Sequence, residues 1–378
     1  MMLNKGNRTK LVGIIALLLI VSIFSVGASL GQDDGQAKSH PVIDFTPLAE
    51  NPVLPRGESG AWDGIEGIVF APHVIQHEGT YYMFYSGADN DRGRPAAIGY
   101  ATSEDGINWT KFGENPIIAP DDTGYDGMCV SVGVPMVEDD TWVLYYAANS
   151  QPCYGPGRYI GRATAPDPSG PWTRDEEPIL EAGSEGEWDH GFIMPHSIVK
   201  TDDGYVMYYS GGTEFLVPLP RLVGMATSSD GINWNKCNDP QTIESPCEES
   251  DPIYDLTPNG EPAPLEAWAV SVIKGEERWE MFFGSTCPDM VSENCPSFLG
   301  YAVSEDGVNW MTYTDEEDRV LMPGGPECEG QWICHRLSYP SALKMDDGSY
   351  RIYYTGCDED SPNDCEIGMA TGTIQWED

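Results

Sequence analysis

The chain of 378 residues carries 61 acidic against 20 basic side chains, a formal net charge of −41, with 40% apolar residues and ten cysteines. That is enough chain and enough apolar content to bury a large core, which excludes a wholly disordered protein. The charge argues against nucleic acid and anionic lipid as partners, because an acidic surface repels both.

In chain order, Lys5, Arg8 and Lys10 precede an apolar run from Leu11 to Val26 and then small residues around Val26-Gly27-Ala28. That order predicts a signal peptide over residues 1–31 and a secreted, extracellular protein. An uncleaved N-terminal anchor is the competing reading, since the run nearly spans a bilayer. The acidic remainder suits either an ordinary secreted protein or one kept soluble in high salt. All ten cysteines follow this segment, at 129, 153, 237, 247, 287, 295, 328, 334, 357 and 365. Their even count predicts disulfides, five local bridges pairing neighbours in order. A zinc site competes poorly, because no Cys-x-x-Cys spacing occurs.

Beyond the leader the chain repeats. Thr80-Tyr-Tyr-Met-Phe-Tyr-Ser-Gly87, Ile98-Gly-Tyr-Ala-Thr-Ser103 and Glu104-Asp-Gly-Ile-Asn-Trp109 form the first unit. The pattern returns from Trp142 to Trp172, Tyr205 to Trp234, Trp279 to Trp310 and Tyr350 to Thr371. Successive Trp109, Trp172, Trp234 and Trp310 lie 63, 62 and 76 residues apart, so each unit is a small sheet rather than one hairpin. Each has four runs rich in β-branched and aromatic residues, split by turn signals such as Asp202-Asp-Gly204. The expected fold is all-β: a five-bladed β-propeller of four-stranded antiparallel blades, about 65–118, 128–180, 190–243, 266–322 and 336–376, within a domain of residues 42–378. Phe45-Thr-Pro-Leu-Ala-Glu-Asn-Pro-Val-Leu54 reads like the outer strand Trp109-Thr-Lys-Phe-Gly-Glu-Asn-Pro-Ile-Ile118, so residues 42–54 are expected to close the fifth blade.

Strand order predicts two unlike faces. Turns such as Ser103-Glu-Asp-Gly106 share one; blade crossings and the loops between second and third strands share the other, where a site is expected. Aligning the inner strands on Pro72, Pro135, Pro195 and Pro340, with Ala269 as counterpart, puts Ala71 and His73, Val134 and Met136, Met194 and His196, Trp268 and Val270, Tyr339 and Ser341 toward the channel.

These motifs resemble the arabinanase/levansucrase/invertase-like superfamily, five-bladed propellers that include glycoside hydrolase families 43, 32 and 130. The resemblance rests on Tyr-Tyr-x-Tyr-Tyr-Ser-Gly, Ile-Gly-Tyr-Ala-Thr-Ser and Asp-Gly-x-Asn-Trp and covers residues 42–378. It implies action on glycosidic bonds of neutral oligo- or polysaccharides of arabinan, xylan, fructan or mannan type. A non-catalytic carbohydrate-binding propeller and a protein-interaction scaffold are the alternatives. Such enzymes place a base just before the first-blade proline, where this chain has Ala71; Val134, Met194 and Tyr339 are not acidic either, and the Asn-Asp-Pro-Asn signature is absent.

Glycosidic cleavage needs two carboxyl groups at a fixed separation. The candidates are Asp63, Glu66, Asp126, Glu187, Asp189 and Glu266. Asp63, Asp126 and Asp189 recur after an aromatic residue, which also suits a turn-capping role; the other three do not recur. His73, His190, His196, His335, Arg336, Arg221, Trp268 and Tyr339 are candidates for binding sugar, with Tyr154 a further stacking ring. No cofactor is expected to be required. Histidine in some relatives supports a central cation, so a calcium ion there is an open expectation. The expected partner is a carbohydrate, and the expected state a monomer. Ser103-Glu-Asp-Gly-Ile-Asn-Trp109 and its copies resemble the sialidase Asp-box but are one residue tighter. They read as structural turns, and the charge argues against anionic sugars despite Arg94, Arg158, Arg221 and Arg336.

Overall fold

The computed structural model describes residues 41–378 except 65–66, 90–93, 114–115, 151–156, 214–221, 238–252, 254–265, 287–296, 314–321, 324–335, 358–363 and 377–378. The expected leader lies outside these residues. The described part is all-β, a five-bladed propeller. Blade 1 is Ile68–His77, Thr80–Asp89, Arg94–Ser103 and Thr110–Lys111, each strand antiparallel to the next. Blade 3 has the same plan: Phe192–Thr201, Gly204–Gly212, Leu222–Ser228 and Asn235–Cys237. Blades 2 and 4 each pair a second short strand, Leu180–Glu181 and Met322–Pro323, with their third strand. Blade 5, Arg336–Lys344, Tyr350–Cys357 and Cys365–Trp376, takes its outer strand from Pro41–Pro47, in register from Pro41 opposite Trp376 to Pro47 opposite Ala370. Each inner strand touches the next around the ring and the fifth touches the first, so no inner edge is left open.

Polar hooks join neighbouring blades, and the repeated motifs supply them. Each inner strand carries a bulge near its middle, and its extra residue reverses the alternation of sides. The residue opening the bulge is Ala71, Val132, Ala269 or Tyr339, at φ between 50° and 52°. In blade 3 it is Pro195. The amides of Ala71, Val132 and Ala269 donate to hydroxyls of the preceding blade: Thr355 at 2.9 Å, Ser86 at 2.8 Å and Ser210 at 3.1 Å. These are the Ser or Thr of the Tyr-Tyr-Ser-Gly motif. Pro195 has no amide hydrogen, and the blade before it carries Ala147 at the hydroxyl position. A second ring of hooks lies just beyond, where the amides of Val74, Val272 and Ala342 donate to Ser341, Ser197 and Ser271. His73 occupies the serine position of blade 1, and the amide it would serve belongs to Pro135.

This register corrects the alignment on proline. Pro72 and Pro340 are second in their bulges, Pro195 is first, and Pro135 lies beyond its bulge altogether. The counterparts of Ala71 are therefore Val132, Pro195, Ala269 and Tyr339, in place of Val134, Met194 and Trp268. Equal spacing from a proline fails because the bulge can hold proline at either position.

At the far end the Asp-Gly-x-Asn-Trp turns are built alike. Ser103 Oγ accepts from the amides of Asp105 and Gly106, and Asp105 Oδ1 accepts from those of Ile107 and Asn108, both at 2.8 Å. Ser228 with Asp230 and Ser304 with Asp306 repeat the cage. Bonds to the backbone amides hold the Asp105 and Asp230 carboxyls well below the usual carboxylate range. Gly106, Gly231 and Gly307 sit at positive φ, and their carbonyls accept from Tyr353, Tyr145 and Tyr208 of the preceding blade at 2.8, 2.9 and 2.7 Å. Blades 1 and 4 have Phe84 and Phe282 at that tyrosine position, and neither is followed by such a turn.

Cys357 and Cys365 are joined across the second and third strands of blade 5. Cys129 and Cys237 are disulfide-bonded too. The other six cysteines, and so the remaining expected pairings, lie outside the described residues.

Candidate functional site at the mouth of the channel

Around the axis the bulge residues pack with Ala147, Phe192 and Met194 into one buried apolar cluster, flanked by Phe70 and Tyr339. Among the described residues this floor holds no carboxylate. His73 and His196 do lie there, both buried. His73 Nε2 donates to the His196 carbonyl at 2.8 Å, and the His196 ring lies 5.8 Å from that of Tyr339. Burial lowers the His73 imidazole to about 4 and takes His196 well below the ordinary histidine value. Both rings are buried in the floor, and each keeps one nitrogen, Nδ1 of His73 and Nε2 of His196, without a hydrogen-bond partner among the described residues.

Three of the six candidate carboxylates form a repeated clasp. Asp63, Asp126 and Asp189 are buried, and each accepts from a second-strand tyrosine: Tyr85 at 3.0 Å, Tyr146 at 2.8 Å and Tyr209 at 3.1 Å. Each also pairs with a fourth-strand cation: Lys111 at 2.7 Å, Arg174 at 3.0 Å and Lys236 at 2.6 Å. The preceding aromatic completes the unit, Trp62 stacking on Tyr85 and Trp188 on Tyr209, with the Tyr125 hydroxyl 3.1 Å from that of Tyr146. Burial, reinforced by Asp63, pushes the Tyr85 phenol well up, so its proton stays in place. In each clasp both bonds fall on Oδ2, which ties the buried carboxylate to its blade, while Oδ1 of Asp189 is buried with no hydrogen-bond partner among the described residues. The sequence showed the aromatic-Asp pair but gave no sign of its cation, which arrives some 48 residues later.

What remains is specific to single blades. Glu187 is exposed, and its Oε2 accepts from the Ser184 amide at 2.5 Å. His190 is half-buried, with Nδ1 2.7 Å from the Glu187 carbonyl oxygen. Glu266 and Trp268 lie in the inner strand of blade 4 opposite Thr286 and Gly284, and Arg336 opens that of blade 5; their side chains lie outside the description. Glu66, Tyr154, Arg221 and His335 lie wholly outside the described residues. Among described side chains no three His, Cys, Asp or Glu are grouped to hold a metal ion.

A closed ring of five antiparallel sheets, with blade-specific residues at one end, defines the class by its fold: a five-bladed β-propeller. The profile of the glycosyl hydrolases family 32 N-terminal domain matches residues 72–250, a little under half of the chain. An uncharacterized protein of Mycobacterium tuberculosis is 28% identical over 146 residues, 38% of this chain and 43% of that protein, so the match spans less than half of that relative. A 1,2-beta-oligomannan phosphorylase of a Thermoanaerobacter species is 24% identical over 240 residues, 50% of this chain and 77% of that protein. Among solved structures, a glycoside hydrolase superposes with a TM-score of 0.64 at 16% identity, covering 84% of this chain and 91% of that one. A family 130 structure, described with hydrolases that target β-1,2 mannosidic linkages in Candida mannan, gives 0.59 at 17% identity, covering 87% and 93%. Likenesses at such identity concern the fold.

Proposed function

We propose that this protein is an exported carbohydrate-active propeller that cleaves glycosidic bonds of a neutral oligo- or polysaccharide at the mouth of its channel. Its acid–base work falls to blade-specific carboxylates, Glu187, Glu66 and Glu266, in place of one on the floor. The observation that carries this reading is the division of the acids: the recurring ones are consumed by clasps, and an exposed one stands in a mouth-end turn. The relatives that act on mannosides support the substrate class, and the net charge favours an uncharged sugar. Export rests on the N-terminal pattern and the disulfide. The five bulge positions, none of them acidic, favour a second reading, a propeller that binds glycan without cleaving it.

A screen of the purified protein against aryl glycosides and plant and yeast polysaccharides separates the two. Turnover that falls at least a hundredfold in Glu187→Gln or Glu266→Gln supports catalysis, as expected for loss of an acid–base group (about 10²–10⁴ in rate). Binding on a glycan array with no turnover of any substrate supports the second reading and overturns the first.

A further inference from the structure

The mouth-end turn of blade 3 differs from its two copies in a way that its clasp does not require. Trp62-Asp63-Gly64, Tyr125-Asp126-Gly127 and Trp188-Asp189-His190 are successive copies, each 63 residues after the last. Where blades 1 and 2 have glycine, blade 3 has His190. Those glycines are sterically enforced: a Cβ at Gly64 would stand 2.6 Å from the Glu58 carbonyl oxygen, and one at Gly127 would stand 2.5 Å from the backbone N and O of Thr123. The blade 3 turn keeps the same backbone bonds, Glu187 N to Ser184 O and His190 N to Glu187 O matching Ala61 N to Glu58 O and Gly64 N to Ala61 O. Yet it has made room for an imidazole. The same turn carries Glu187 where blade 1 has Ala61 and blade 2 has Gly124.

The hydrogen bond fixes what that imidazole offers. A carbonyl oxygen only accepts, so Nδ1, 2.7 Å from the Glu187 oxygen, carries the proton. In that tautomer Nε2 presents a lone pair, and among the described residues it has no partner. The ring is half-buried, pinned at one nitrogen and open at the other, two residues before the inner strand Phe192–Thr201 and at its mouth end. We propose that His190 is a sugar-recognition residue whose Nε2 accepts a hydrogen bond from a hydroxyl of a neutral saccharide, the group such a ligand presents in excess. It is a binding and specificity residue, with Glu187 as its carrier. The inference rests on the reading of the mouth as a carbohydrate site.

Two measurements test it. Two-bond ¹H–¹⁵N spectra of the imidazole, on the full chain, are expected to show His190 protonated at Nδ1; an Nε2-protonated ring overturns the geometry whatever the ligand. Calorimetric titration with short manno-, xylo- and arabino-oligosaccharides then compares wild type with His190→Gly, the residue of blades 1 and 2, and His190→Gln, which keeps an acceptor. For a probe that binds wild type, His190→Gly is expected to weaken affinity about tenfold, with His190→Gln restoring most of it and melting temperatures unchanged. Equal affinity in wild type and His190→Gly, or no rescue by glutamine, overturns the inference and leaves the mouth a carbohydrate site. Wild type binding no saccharide overturns that reading, and the role of His190 with it.

Discussion

Two sets of turns, at opposite ends of the blades, follow opposite rules. At the far end Ser103-Glu-Asp-Gly-Ile-Asn-Trp109 and its copies ending at Trp234 and Trp310 agree in sequence, in caged hydrogen bonds and in the tyrosine they hook in the preceding blade. At the mouth end the three aromatic-Asp turns share a clasp and then part company, blade 3 alone adding Glu187 and His190. Uniform turns leave nothing to distinguish one direction around the ring from another. A departure from uniformity, made against a steric reason to keep glycine, is where ligand chemistry is to be sought.

Lys236→Met strands the fully buried Asp189 carboxylate and is expected to cost about 4 kcal/mol in chemical unfolding. Adding Asp189→Asn should recover much of that loss, since the polar group left behind is neutral. A loss no larger than that of an exposed lysine would show that the clasps do not hold the blades.

Acid comes next. His73 falls from 6.5 unfolded to about 4 folded, so the unfolded chain binds its proton first. Stability is therefore full above pH 6.5 and is lost as pH falls from there toward 4, by about 3 kcal/mol for this group. His196 acts in the same direction. Melting temperature followed against pH should show a shallower acid limb in His73→Ser, which places at this site the residue of blades 3, 4 and 5. An unchanged limb would mean that the ring is not neutral and buried in solution.

The smallest effect is Tyr145→Phe, which removes the bond to the Gly231 carbonyl and should cost about 1 kcal/mol. Saccharide binding at the mouth should not change. If it does, the two ends are coupled and the separation drawn between them fails.

The fold was legible because each blade repeats its own evidence: tyrosines, glycines and the Asp-Gly-x-Asn-Trp turn recur at intervals set by a four-strand sheet. Even ring closure could be read, through the likeness of residues 45–54 to 109–118, and Leu54 does bridge Ile367 as Ile118 bridges Ile98. The site was legible only in part. A bulge inserts one residue without a sequence mark, so alternation counted from proline slipped at Val134, Met194 and Trp268. The clasp cations Lys111, Arg174 and Lys236 are distant in sequence and ordinary in context, which left Asp63, Asp126 and Asp189 looking available for catalysis. His190 was visible as a histidine near an inner strand. Its meaning came from seeing that its two counterparts must be glycine.

The central claim, that a saccharide is taken at the mouth and not at the far end, is tested most directly by amide chemical-shift mapping on the full chain during titration with a bound oligosaccharide. Shifts gathered at Ser184–His190 and at the start of Phe192–Thr201, with the turns at Asp105, Asp230 and Asp306 unmoved, are the predicted result. Shifts at those far-end turns with Glu187 and His190 silent would contradict it.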